Sequence, residues 1–458
     1  MQFHQRFFMG IGITLFMTTE NNEQPIEAAY LEVLGRPVDE DGKKTHLNAM
    51  KYRSIDEIKQ VLRRSPEYRD AYKSIVDGKI GKDVAYIDEN GNGKIVWLKP
   101  NSITISVPEG RLYEQTLNTP HQTQLSINFY PVAVPRSGYG ILGENIYKAL
   151  KNYGYGISQS INYDLPAVDI SLHLSIPPSW RRMESTVNIG YTMFEASRIP
   201  DSWVPFCNLM DRLIVPLKAN INVFRSCGVK IPIDVVPIGV DEIVYNPCIP
   251  YHSPPMPKSF KFLIINDGQS RKNNEMVVSA FQDEFKEEIS KNLSHLITRT
   301  PGSYTGKNVV WSPQYLEDPG LAALINACDC MIGASCGEAG DIPVMEGMAM
   351  EKPVIVSREM AHSEYITDGE NGIFVEGSVV PAFTHPQYKG LPYLVGIHDA
   401  TWILPNYNSL KEKMRWVYEN RSEAEKIGKN AREYILKYRT LEVCIKQMIQ
   451  IFEKYGRD

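Results

Sequence analysis

The side chains best suited to chemistry crowd into one stretch, Ser335-Cys336-Gly337-Glu338-Ala339-Gly340-Asp341-Ile342-Pro343-Val344-Met345-Glu346. An apolar run ends at Ala334, a glycine-containing loop follows, and Pro343 stands where a helix would begin, because its fixed φ suits the first turn. Glu338 is expected in the loop and Glu346 in the first two turns of that helix. Both would face the crevice beyond the strand ends, where open α/β sheets take their ligands. The helix N-terminus offers free N–H groups and partial positive charge to an anion. Two carboxylates beside a phosphate would repel it, so they suit another task. An ionised carboxylate is acceptor-only and can receive hydrogen bonds from vicinal sugar hydroxyls. Read singly, either Glu is also an ordinary helix-start acid favoured by the dipole.

A second signal is Asn266-Asp267-Gly268-Gln269-Ser270-Arg271-Lys272-Asn273-Asn274, directly after an apolar run. Arg271 and Lys272 in a strand-to-helix loop could neutralise a diphosphate, although adjacent cations on a surface usually mean nothing. A third is Ser137-Gly138-Tyr139-Gly140-Ile141-Leu142-Gly143, which matches G-x-G-x-x-G. It brings a dinucleotide-binding oxidoreductase into consideration, with Asp164 as the nearest acid for a ribose. The same Gly138, Tyr139 and Gly140 loop would equally let backbone approach a sugar nucleotide or an acceptor. Residues 302–307 fail as a P-loop, being one residue short with Asn308 in place of Ser or Thr. The turn at residues 88–93 resembles a calcium loop, but its twelfth position is Lys99 where a bidentate Glu is required. Its Asn-Gly pairs fit a tight β-turn better.

These residues need strands and helices to hold them. Strand-like runs are expected at 126–134, 169–174, 186–193, 212–216 and 233–237, and again at 260–265, 308–311, 328–334, 353–357 and 372–375. Helical patterns lie between them, beginning with residues 144–152, which implies two parallel sheets with right-handed crossovers. Residues 410–455 read as helices, with a Ser422-x-x-Glu425 start. Residues 84–107 carry short β-rich runs. Residues 24–80 read as short helices, with a capping box at Ser54 and Glu57 and a Pro-started turn at Ser65-Pro66.

Composition sets the outer bounds. At roughly 150 residues per domain, 458 residues suggest about three domains. Hydrophobic residues at 43% and charged residues at 22% exclude a disordered chain and a collagen-like rod. A net charge of −5 without long single-sign runs argues against nucleic acid as a partner. Seven scattered cysteines without CxxC pairing suggest reduced thiols and a cytoplasmic location. The apolar stretch at residues 7–17 is about half the ~20 residues a spanning helix needs, which leaves peripheral membrane association at most.

Taken in order, these motifs resemble a family-4 glycosyltransferase of GT-B fold over residues 125–455. The family's E-x7-E element is matched by Glu338 and Glu346, in the context of Pro343, residues 353–357 and Asp368-Gly369-Glu370-Asn371-Gly372. Residues 235–241 with Asn246-Pro247 resemble its interdomain segment. The resemblance implies an α/β architecture of two Rossmann-like doubly wound domains facing a cleft, one at 125–247 with a returning C-terminal helix at about 436–458, the other at 248–435. It implies a retaining, metal-independent hexosyl transfer from a nucleotide-diphosphate sugar to a hydroxyl-bearing acceptor, with no cofactor. Glu338 would contact the transferred sugar, Glu346 the ribose and Lys272 the diphosphate, with Arg271, Ala339, Gly340, Asp341 and Ile342 lining the donor. The family's second diphosphate Arg falls on Asn266, and its loop residues after Glu-Gly fall on Gly340 and Asp341, which are departures. Residues 191–203 resemble a subset of these transferases and place Glu195 on the acceptor side. His173, at a strand end, is a further candidate. Residues 25–70 resemble a small helical module related to phycobilisome-linker repeats, which implies a protein contact within an N-terminal module at 1–82, ahead of a β-rich segment at 83–124. Two rivals stay open: a non-catalytic scaffold with a degenerate transferase fold, and an NAD-dependent oxidoreductase using Gly138, Gly140 and Gly143.

Overall fold

The structure, a computed structural model, describes residues 82–87, 93–98, 102–106, 112–116, 125–132, 137–248, 256–299, 306–311, 316 and 318–456. The expected helices and capping box of residues 24–80, the module at 25–70, the apolar stretch at 7–17 and the Asn-Gly turn lie outside these residues. Two antiparallel hairpins come first. β1 (Lys82–Ile87) pairs with β2 (Gly93–Leu98), and β3 (Ser102–Ser106) pairs with β4 (Leu112–Thr116). They belong to one compact unit, and the elements from Leu125 onward belong to another.

That second unit holds two parallel six-stranded sheets. The first contains β5 (Ser126–Pro131), β6 (Gly156–Gln159), β7 (Ile170–Leu174), β8 (Val187–Tyr191), β9 (Arg212–Val215) and β10 (Ile233–Val235), in the order β10-β9-β8-β7-β5-β6. The second contains β11 (Phe260–Ile265), β12 (Ser294–Arg299), β13 (Val309–Trp311), β14 (Cys330–Gly333), β15 (Val354–Ser357) and β16 (Ile373–Val375), in the order β13-β12-β11-β14-β15-β16. In each, the strand order reverses once, between β5 and β7 in the first sheet and between β11 and β14 in the second. Those switch points are where doubly wound sheets open a crevice at the strand C-termini.

Alternation along each strand divides the core. Phe260, Phe262 and Ile264 point to one face of the second sheet, against Phe281, Phe285, Leu410 and Met414. Leu263 and Ile265 point to the other, against Met331, Val344, Met345 and Met348. The helices that supply these residues are α4 (Asn274–Glu284), α7 (Ile342–Ala349) and α9 (Tyr407–Glu419). Between them in the chain lie α5 (Lys286–Ser290), α6 (Asp318–Asn326) and α8 (His362–Tyr365). The first sheet is covered by α1 (Gly138–Asn152), with α2 (Val204–Leu209) and α3 (Lys218–Ser226) following. The chain then returns. α10 (Arg421–Tyr438) packs on α7, and α11 (Leu441–Tyr455) packs on α1, bringing Ile445, Met448 and Phe452 into the core around Phe129 and Leu172. Where it crosses back, Val240 N donates to Arg439 O and Leu441 N to Val240 O, at 2.8 Å each.

Several local expectations need correcting. Residues 138–143 are not a loop: α1 begins at Gly138 rather than Glu144, because the Ser137 hydroxyl accepts from Gly140 N at 3.0 Å and caps the helix. Gly138, Tyr139 and Gly140 are therefore its first turn. The Ser422-x-x-Glu425 start is not used, since α10 begins at Arg421 after Asn420. The first helix of the C-terminal run starts at Tyr407, where Asn406 accepts from Ser409 N. Strands β6 and β12 were not expected. Nor was the insertion at residues 377–405, whose ends β17 (Gly377–Pro381) and β18 (Thr401–Pro405) pair antiparallel.

Candidate active site

The switch point of the second sheet brings the two strongest motifs together. After β11 the chain turns through Asn266 and a short 3-10 turn at Ser270–Lys272, and after β14 it runs through Ser335 to Asp341 before α7. Lys272 is buried and the Arg271 side chain is only 10% exposed, so neither is spread on the surface. Arg271 Nη1 donates to Glu338 Oε1 at 2.8 Å and to the Gly337 carbonyl at 2.7 Å, and Lys272 Nζ donates to the same Glu338 oxygen at 2.5 Å. Glu338 is 4% exposed. Burial alone would push its carboxyl up, but the charges of Arg271 and Lys272 outweigh that and hold it down to about 2. Burial likewise works against both cations, and Glu338 more than restores them, so each stays charged.

The first sheet reaches into the same site. Glu195 Oε1 lies 3.4 Å from Arg271 Nε. Close backbone approach fixes this contact: a Cβ on Gly337 would collide with the Glu195 carbonyl oxygen and lie 2.7 Å from the Trp402 ring, so only glycine fits there. Tyr139, on the first turn of α1, bonds Thr192 Oγ1 at 2.8 Å and accepts from Met193 N at 3.1 Å, which anchors the segment that carries Glu195.

Asp341 caps α7 in the left-handed region, with φ 56°, a conformation that costs a non-glycine residue on the order of 1 kcal/mol. Its carboxylate accepts from His362 Nε2 at 3.1 Å, inside the protein. Ala339 is buried, the Gly340 carbonyl accepts from Tyr365 OH at 3.0 Å, and Ile342 opens α7. Glu346 is buried on α7, whose start faces the same loop. Lys272, Asn266, Ser335, Asp341 and Pro343 line a small cavity at the ends of β11 and β14.

Two predicted residues sit differently. Asn266, at the position of a family Arg, exchanges hydrogen bonds with Asn274 at 2.6 and 2.9 Å and braces the turn before the cations. His173 lies on β7 in the first sheet, fully buried and stacked with Tyr130 and Tyr163 at ring-centroid distances of 5.1 and 5.6 Å. Neither ring nitrogen has a hydrogen-bond partner. Burial outweighs the weak pull of the nearby Asn188 amide and lowers the imidazole to about 4, so it is neutral.

Sequence reasoning missed a second tier. Glu359 accepts from Glu338 N at 2.8 Å, and Tyr388 OH accepts from Arg271 N at 3.3 Å. Glu359, two residues past β15, stands after its strand much as Glu338 stands after β14, and that parallel was the available signal. The 377–405 insertion also ties the site to the first half. Thr401 N donates to Ser197 Oγ at 2.8 Å and Trp203 Nε1 to the Tyr393 carbonyl at 2.7 Å, while Phe383, Tyr388 and Trp402 pack with Phe194 and Trp203.

Comparison with known proteins fits this arrangement. Residues 261–385 match the family model described as Glycosyl transferases group 1. Putative glycosyltransferase 45 of Sulfolobus islandicus filamentous virus is 26% identical over 208 residues, 45% of this chain and 55% of that protein. Uncharacterized glycosyltransferase MJ1178 of Methanocaldococcus jannaschii is 24% identical over 195 residues, 43% of this chain and 41% of that protein. The chain thus spans about half the length of the curated relatives it matches. Among solved structures, HepE of Anabaena in complex with UDP-glucose superposes with a TM-score of 0.53 at 12% identity, covering 72% of this chain and all of that one. The same protein with UDP and glucose gives 0.52. The chain therefore has the two-domain GT-B fold of glycosyltransferases, and through residues 261–385 it is similar to group 1 of those enzymes.

Proposed function

We propose that the protein is a retaining, metal-independent glycosyltransferase that moves a hexosyl group from a nucleotide-diphosphate sugar to an acceptor hydroxyl. The observation that carries this reading is the buried trio of Arg271, Lys272 and Glu338 at the switch point of the second sheet, beside the start of α7. Two buried cations and a helix N-terminus suit the charge that grows on a departing diphosphate. In the transfer, the bond from the anomeric carbon to the diphosphate oxygen breaks and a bond to the acceptor oxygen forms. The acceptor proton passes to the departing phosphate, which needs no base from the chain. Glu338 holds the sugar hydroxyls, Glu346 the ribose, and Glu195 approaches from the first half to orient the acceptor. Residues 194–203 and the 377–405 insertion wall off the site and would exclude water during transfer.

HepE, whose solved complexes hold UDP and UDP-glucose, makes uridine diphosphate sugars the first donors to try. The test is a panel of nucleotide sugars, following binding and nucleotide release in the wild type and in Glu346→Ala. Release from one donor, lost in the variant, supports the reading. Binding without release in the presence of any acceptor would favour a scaffold, and binding of NAD alone would overturn it.

A further inference from the structure

The loop 338–341 is tied down by a buried charge cluster that the transfer reaction does not itself require. His362, at the start of α8, is completely buried. Its Nδ1 lies 3.0 Å from the Ser357 carbonyl and 3.1 Å from Glu359 Oε1, and its Nε2 lies 3.1 Å from Asp341 Oδ2. Every one of these neighbours is an acceptor. A neutral imidazole has one donor nitrogen and one lone pair, so in either tautomer it would turn that lone pair on a carboxylate or a carbonyl. With both carboxyls ionised, only the imidazolium satisfies both sides.

Glu359 carries the tie onward. Its Oε1 also accepts from His362 N at 2.7 Å, and its Oε2 accepts from Glu338 N at 2.8 Å and Ala361 N at 3.1 Å. Burial raises its carboxyl above the usual range, while the charge of His362 and these backbone donors favour the carboxylate form. Tyr365, one turn along α8, adds its hydroxyl bond to the Gly340 carbonyl and sets its ring edge-on to His362 at 5.8 Å. The turn after β15 thus grips the loop at Glu338, Gly340 and Asp341.

We infer that His362, as an imidazolium, is the positioning residue of the 338–341 loop, bonding Asp341 directly and Glu338 through Glu359, and so holding the loop in the shape that receives a sugar nucleotide. This rests on the donor-site reading above. It also accounts for an acid in a left-handed position: the bond to His362 holds Asp341 where a glycine would sit unaided.

The groups that face His362 set its response to pH. They are Glu359 and Tyr365 from its own turn and helix, and Asp341 and Glu338 from the loop before α7, with Lys272 sharing the field of Asp341. Burial pulls the imidazole down, Glu359 and Asp341 more than offset it, and it is raised from 6.5 to about 9. A raised value means that the stability lent by the tie is whole below about 6.5 and is lost as pH climbs through about 9, while in the folded protein the tie itself lasts until pH nears about 9.

The experiment compares wild type, His362→Gln and the double variant His362→Gln with Asp341→Gly. Donor KM and kcat are measured across pH with the nucleotide sugar found by the panel. Expected is a wild-type KM that rises on the alkaline side with kcat changing less. His362→Gln should show a KM raised on the order of tenfold at neutral pH and no alkaline limb. The double variant should recover much of the loss, because glycine adopts the left-handed geometry without a tether. A second readout needs no donor: the ring nitrogen NMR shifts of His362, and hydrogen exchange of the Glu338 amide corrected for intrinsic rate. A neutral His362 at neutral pH, or Glu338 protection unchanged in His362→Gln, would overturn the inference. Protection that depends on His362 in a protein that binds no nucleotide sugar would uphold the tether and sink the donor reading instead.

Discussion

One carboxylate oxygen of Glu338 serves two buried cations, and that economy makes its removal readable. In Glu338→Gln the cations lose their anion, and breaking such a buried pair costs about 3–5 kcal/mol. The same change leaves two positive charges with an unmet need. Inorganic diphosphate should therefore raise the melting temperature of Glu338→Gln more than that of the wild type. Equal shifts in a calorimeter would mean that diphosphate never reaches Arg271 and Lys272. On the proposed donor-site reading, Lys272→Met removes one of two charges that would face the leaving group and should lower kcat on the order of a hundredfold, as measured with the active donor. His173 gives a prediction of opposite sign to His362. Its folded-state value near 4 lies below the ordinary 6.5, so its contribution is whole above about pH 6.5 and is lost as pH falls toward 4. The loss amounts to about 3 kcal/mol. His173→Phe keeps the stack with Tyr130 and Tyr163 but cannot titrate, so in urea titrations its stability should fall less than that of the wild type across that acid range.

At the scale of elements, loops rather than strands carry the precision. Gly337 lets the loop after β14 touch the Glu195 backbone and the Trp402 ring at once. Gly337→Ala should displace that loop and remove transfer activity, while circular dichroism reports unchanged helix and strand content. A variant of full activity would show that the two halves need not meet at this point. The strands that the sequence displayed are those with plain apolar runs, such as β11 and β15. β12 escaped because Ser294, His295, Thr298 and Arg299 break its apolar pattern, even though Ser294 and Thr298 are buried with no partner for their hydroxyls. The glycines of α1 read as a loop because the Ser137 cap and the glycines compete for the same residues, and the cap prevails. Spacing between Glu338 and Glu346 was legible because both lie on one loop-helix segment. Glu359, His362 and Tyr388 were not, because their roles come from contacts between segments far apart in the chain.

For the molecule as a whole, the decisive feature is the return of the chain to its first sheet. Val240 and the residues around Thr440 are hydrogen-bonded side by side, so the two passages between the halves form one narrow seam. Among the described residues, no helix is long and apolar enough to cross a membrane, and α11 spends its apolar face on the first sheet. Phe452 is fully buried there, and Phe452→Ala should cost about 3–5 kcal/mol. A chain stopped at Tyr438 would lack Ile445, Met448 and Phe452 together. Limited proteolysis of it should spare the second sheet and digest the first; equal resistance of both would show that α11 is dispensable. The same return imposes an order in time during synthesis. Every strand of the first sheet leaves the ribosome before any strand of the second, yet the helix that closes its core emerges only after the second sheet is complete. The half that is made first is finished last, and until then its apolar face lacks the helix that covers it.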